Sequence, residues 1–117
     1  MNYSFVVTGP PVAKARARKG PVGFYTPEKT KDAELLVQAA FLEKYRPEVD
    51  ATSLFKVACR FYTRGRNRMD GDNLEKLIWD ALTGVVWEDD SQIWSWRGDR
   101  GTDKLNPRTE VDISLVV

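Results

Sequence analysis

The chain has 117 residues, of which 42% are hydrophobic and 30% charged, with a formal net charge of +1. That is the length of one domain and an ordinary globular balance. There is no histidine and one cysteine, Cys59. This excludes histidine-based triads and general bases, histidine-ligated zinc or iron, an internal disulfide and a thiolate metal site, and leaves carboxylate, lysine, arginine, tyrosine and hydroxyl chemistry.

Residues 3–8 read as a strand, closed by the breaker Gly9-Pro10-Pro11. Residues 12–25 form a basic loop carrying Lys14, Arg16, Arg18 and Lys19. Thr26-Pro27 has the form of a helix start, a hydroxyl cap followed by proline in the first turn. The spacing predicts a helix over 27–45, with Leu35, Leu36, Ala39 and Leu42 as its apolar stripe and Pro47 beyond its end. Residues 54–62 alternate, placing Phe55, Val57, Cys59 and Phe61 on one side of a strand. A polar connector over 63–69 holds Arg64, Arg66 and Arg68.

A second helix is predicted over 73–83, with Leu74, Leu77, Ile78, Ala81 and Leu82 as its core stripe and Gly84 as its stop. Residues 85–87 read as a short extended piece, 92–97 as a strand and 98–107 as a loop. Val111, Ile113 and Leu115 alternate in a final strand. No repeat or interdomain linker interrupts residues 1–117, so the expectation is one α+β domain, a mixed β-sheet packed with two main helices. One cysteine fits a reducing, cytoplasmic setting. No apolar run approaches the roughly 18 residues of a membrane span, and the start does not resemble a signal peptide.

The small net charge hides a segregation. Residues 70–90 hold seven acids and one base, Lys76, leaving 17 bases against 10 acids elsewhere. On a helical wheel with Asp72 at the origin, Lys76 falls at about 40° and Asp80 at about 80°, opposite a stripe centred near 210°. Asp70 lies just before the helix, where free N–H groups and the dipole favour anions. Asp89 and Asp90 follow after one short connection. Acid pairs at two places in a chain can converge on magnesium, which takes carboxylate oxygen, keeps waters and binds substrate phosphate. Plainer roles compete. Asp72 and Glu75 have capping-box spacing, and Lys76 can serve as an i,i+4 partner of Asp72 and Asp80. A calcium loop fails, because Leu74 and Glu75 occupy its fifth and sixth positions.

Asp70-Gly71-Asp72-Asn73-Leu74-Glu75-Lys76, then Asp80-Ala81-Leu82, then Trp87-Glu88-Asp89-Asp90-Ser91-Gln92, resemble the signature of the RusA family of Holliday-junction resolvases. Gly9-Pro10-Pro11, the stretch from Lys14 to Arg18 and Thr26-Pro27-Glu28-Lys29-Thr30 are similar to the N-terminal region of its phage and Gram-positive-type members. Ala17 stands where a proline is expected and Arg97 where a lysine is usual, departures that touch DNA contact. The resemblance implies a homodimeric, Mg2+-dependent endodeoxyribonuclease that resolves four-way DNA junctions by paired nicks in recombination and repair. It carries the metal ligands to Asp70, Asp72 and Asp90 and the essential lysine to Lys76, and gives Asp89 a family-typical position.

The residues suit such chemistry. Phosphodiester hydrolysis needs charge neutralised on the phosphate and an activated water. Lys76 would stand by the developing charge. Lys14, Arg16, Arg18, Lys19, Arg64, Arg66 and Arg68 would hold the DNA backbone. Trp94 and Trp96 are expected in the core or a dimer interface, and Trp79 at an interface or over the site. The alternative is a non-catalytic branched-DNA-binding module. Against it, Asp70, Asp72 and Asp90 would repel phosphate and give a mere binder nothing.

Overall fold

The structure, a computed structural model, describes residues 2–15, 18–21, 23–25, 27–66 and 69–116, without the side chains of Arg18, Phe24 and Tyr25. In chain order the elements are β1 (Asn2–Thr8), β2 (Arg18–Gly20), β3 (Gly23–Tyr25), α1 (Glu28–Leu42), β4 (Phe55–Thr63), α2 (Gly71–Leu82), a 3-10 turn (Asp90–Gln92), β5 (Ile93–Thr102) and β6 (Arg108–Leu115). Four strands form a mixed sheet in the order β1-β6-β4-β5, in which only β4 and β5 run parallel. The α+β expectation holds. Inside the predicted basic loop, β2 and β3 form a small separate hairpin.

The alternation read in the sequence sets the sheet's two faces. Phe55, Val57, Cys59 and Phe61 of β4 point to the same side as Val111 and Ile113 of β6 and Tyr3 and Phe5 of β1, and all are buried. α2 supplies Leu74, Leu77, Ile78, Ala81 and Leu82 to that layer, the predicted stripe. The opposite face carries a charge ladder. Ser4 Oγ donates to Asp112 (2.6 Å), Arg60 bridges Asp112 and Glu110 (2.9 and 2.8 Å), and Arg108 joins Glu110 to Asp103 (3.0 and 2.7 Å).

α1 departs from expectation. It buries Thr30, Ala33, Val37 and Phe41, while Leu35 and Leu36 are about 60% exposed and Ala39 faces solvent. The aromatic residues decide the face. Phe41 stacks edge-on against Tyr3 and Phe5 at centroid distances of 5.2 and 5.4 Å, with Tyr45 beside it. An aromatic ring buries more area than a leucine, so the helix turns Phe41 inward and leaves two leucines out. The predicted cap Thr26 lies outside the described residues. Pro27 occupies the cap position, and the helix stops at Leu42, three residues short of the predicted end.

β5 also departs, running to Thr102 where a loop was predicted from residue 98. Its glycines are strand residues with close neighbours. A Cβ on Gly101 would come within 2.9 Å of the Tyr62 ring, and one on Gly98 within 2.5 Å of Glu75 Oε1. Trp94 and Trp96 lie on this strand 69% and 49% exposed, outside the core. The predicted extended piece at 85–87 is a turn, with Trp87 fully buried against Phe55 and bridged to Asp50 and Thr83.

Phe41→Ala is expected to lower the unfolding free energy by about 3–5 kcal/mol, whereas Leu36→Ala should change it by no more than about 0.5 kcal/mol. Denaturant titration of the two variants checks which face of α1 is packed.

Candidate active site

The site begins at the start of α2. Asp70 is the N-cap, its Oδ1 accepting the Asp72 N–H at 2.9 Å, so the helix starts two residues earlier than the sequence suggests. Asp72 is therefore not the cap, and no capping box with Glu75 forms. Both aspartates are exposed in the first turn, where the unpaired N–H groups and the positive end of the dipole favour negative charge. They line one open cleft of about 290 Å³ with Phe61, Gly71, Glu75, Trp96 and Gly98.

Two residues assigned no role in the site from the sequence belong here. Arg100 of β5 lays its guanidinium over the helix start, with Nη2 2.9 Å from where a Cβ on Gly71 would stand. Glycine at 71 thus lets a cation settle between Asp70 and Asp72 in sequence. Reading residues 98–107 as a loop hid this. Glu75 is the other. It is only 1% exposed, and neither carboxyl oxygen has a hydrogen-bond partner among the described residues. It packs against Gly98, and burial raises its pKa to about 7. The Cys59 thiol and the Trp79 indole oppose that shift without reaching hydrogen-bond geometry, and the indole N–H is likewise without a partner. The helical wheel held a signal for this position, since Glu75 falls about 20° from Leu82, at the margin of the core stripe. Burial, and then Glu75 itself, push the Cys59 thiol well above its usual range.

The remaining candidates fall in several places. Asp90 is exposed in the 3-10 turn ahead of β5, whereas the first turn of α2 lies over residues 98–100. Asp90 thus stands before β5 and is not among the residues that line the cleft. Among the described residues no three acidic or cysteine side chains gather as a metal-binding group. Asp70 and Asp72 still fit magnesium, which commonly binds through one or two carboxylates, its own waters and substrate phosphate. Asp70 keeps its second oxygen beyond the cap bond, and Asp72 is open.

Asp89 caps the 3-10 turn. Its carboxylate accepts the Ser91 N–H at 3.2 Å, while Gln92 Oε1 accepts the N–H groups of Glu88 and Asp89. Those bonds to Ser91 hold the Asp89 carboxyl below its usual pKa. The Gln92 amide donates to the carbonyls of Asp50 and Ser53, tying the turn to the segment before β4. Lys76 is exposed on α2 and makes no ion pair among the described residues, because Asp80 is taken by Lys14. The Lys14 N–H also donates to the Asn73 carbonyl at 2.8 Å, so the basic loop is laid along α2. Lys19, Arg64 and Arg66 are exposed. Arg16 and Arg68 lie outside the described residues, as does the side chain of Arg18. Trp79 is half-buried, with its ring 5.5 Å from that of Trp96 beside the cleft.

Two carboxylates at a helix start, open to a cleft and flanked by arginines, form a constellation suited to phosphodiester hydrolysis. A comparison with protein-family models narrows the class. The family of endodeoxyribonuclease RusA matches residues 8–114, and the chain belongs to that family of nucleases. No curated protein matches the chain.

Glu75 gives a pH test. Its folded pKa of about 7 exceeds the ordinary 4.5, so between those values the folded protein holds a proton that the unfolded chain has released. Its contribution is therefore full below about 4.5 and is lost as pH rises through about 7. Against Glu75→Gln, the wild type should lose up to about 3 kcal/mol of relative stability across that window, whatever constant offset the amide introduces. Urea unfolding of both proteins at a series of pH values measures the difference.

Proposed function

We propose that the protein is a magnesium-dependent, structure-selective endodeoxyribonuclease that resolves four-way DNA junctions by paired nicks, acting as a cytoplasmic homodimer in DNA recombination and repair. The observation that supports this most is the acid pair Asp70 and Asp72, open to one cleft at the start of α2 in a chain of the RusA family. Asp70 and Asp72 would hold the ion in one protomer. The third ligand position implied by the family pattern, Asp90, stands in the turn ahead of β5, outside the lining of the cleft.

Bound magnesium supplies charge neutralisation at the phosphate and a water of lowered pKa. The protein's own groups do the rest. Lys76, exposed on α2, is free to turn its ammonium to the leaving oxygen. Arg100, already over Gly71, offers a second cation to a non-bridging oxygen. Arg64 and Arg66 on the connector, together with Lys19, Arg16, Arg18 and Arg68, would take the DNA backbone on either side, giving recognition by shape rather than by base edge. Lys14 reaches DNA only by releasing Asp80, so its contribution is the smallest of the set.

The test is a synthetic four-way junction incubated with and without magnesium and read on a denaturing gel. Wild type should give symmetric nicks only with the metal. Asp72→Asn should reduce nicking at saturating DNA by at least about 100-fold while junction binding stays within about threefold. Binding without metal-dependent nicking by the wild type would instead make the chain a branched-DNA-binding module.

A further inference from the structure

The edge of the sheet offers a row of backbone groups that the nuclease reading does not use. Among the described residues β5 pairs only with β4, and it forms one border of the four-stranded sheet. Eight of its ten residues are exposed, among them Trp94 and Trp96. A long free edge with exposed tryptophans is a template for pairing with another strand, a hazard that proteins usually cover. The strand's own sequence says which partner fits. Trp96-Arg97-Gly98-Asp99-Arg100 is self-complementary about its centre. Turned end for end on itself, it sets Arg97 opposite Asp99 and Trp96 opposite Arg100.

The faces agree with that pairing. Trp96, Gly98 and Arg100 point to the α2 side, as their contacts with Trp79, Glu75 and Gly71 show. Arg97 and Asp99 therefore project from the other side, where they already bond within the strand at 2.9 Å. Gly98 has no side chain to obstruct an axis. We propose, on the strength of the homodimer reading above, that β5 pairs antiparallel with β5 of a second copy about a two-fold axis at Gly98, joining the two sheets into one.

Such an interface is isologous, and each contact occurs twice. On one face two Arg97–Asp99 pairs cross the strands. On the other, the partner's Trp96 stands opposite Arg100, whose guanidinium stays over Gly71 of its own chain. DNA is a poor occupant of the same edge, because Asp99 sits at its middle.

Charge exchange tests the register. Arg97→Glu sets acids against acids across the axis, and Asp99→Arg sets bases against bases. Mixed together, the two variants face each other with opposite charge at both positions. By native mass spectrometry and sedimentation equilibrium, wild type should be dimeric. Each variant alone should dissociate at least tenfold more readily, and an equimolar mixture should recover a heterodimer of intermediate mass. Both sites are exposed, so unchanged circular dichroism will show that the fold is kept. Variants as dimeric as a dimeric wild type, or a mixture that recovers nothing, would overturn the interface while leaving the homodimer standing. Variants that stay dimeric but lose junction binding would assign the edge to DNA and overturn it too. A wild type that is monomeric at every concentration would sink the homodimer reading itself.

Discussion

The placement of the acid pair depends on how α2 lies on the sheet. Its five apolar residues are buried to 3% exposure or less against strand interiors, which leaves no freedom of rotation about the helix axis. A wedge of apolar area that size, at about 25 cal/mol per Å², outweighs any preference of the polar residues for one orientation over another. With the stripe fixed inward, Asp72 and Lys76 must face out, and Asp70 must close the first turn. The chemistry is thus positioned by packing on the opposite side of the same helix. The β4–β5 ladder sets the other wall, because its parallel register carries Gly98 and Arg100 to the height of the helix start.

The parts of the fold that were legible are those where one period dominates. The α2 stripe, the alternation in β4 and the alternation in β6 are each long enough, and regular enough, to exclude a second reading. α1 was read on the wrong face because it has apolar residues on more than one side. Only the partners, Tyr3 and Phe5 some 36 residues earlier, decide between them. β5 was cut short because glycine and aspartate are usual loop residues. Their reason here is non-local, since Gly98 makes room for Glu75 and Gly101 for Tyr62. Of the two places expected for Trp94 and Trp96, the core or a dimer interface, the core is excluded, because the strand that carries them ends the sheet.

The candidate site was legible as a set of residue types and only partly as a place. Asp70 and Asp72 could be assigned to one helix start from spacing alone. Whether Asp90 joins them is a question about register between strands, which periodicity within a segment does not contain. Asp89 and Gln92 show how a family-like motif can be divided between tasks. Their side chains close a hydrogen-bonded box on the 3-10 turn and anchor it to residues 50–53, leaving Asp90 as the exposed carboxylate between them. Glu75 was read as a capping-box partner of Asp72 and not as part of the site, yet it is the acid most altered by its surroundings.

The ladder on the back of the sheet bears on how a duplex can approach. Arg60 and Arg108 are each clasped by two carboxylates, so a phosphate arriving there would have to displace partners already well placed. Arg64 and Arg66, without an ion pair among the described residues, lie instead on the connector that leads into α2. The domain therefore has a neutralised rear and a front where that connector leads into the exposed acid pair. Two such domains sharing a continuous sheet would present both fronts on related sides of a single axis, which is a geometry suited to cutting two strands that are themselves related by symmetry.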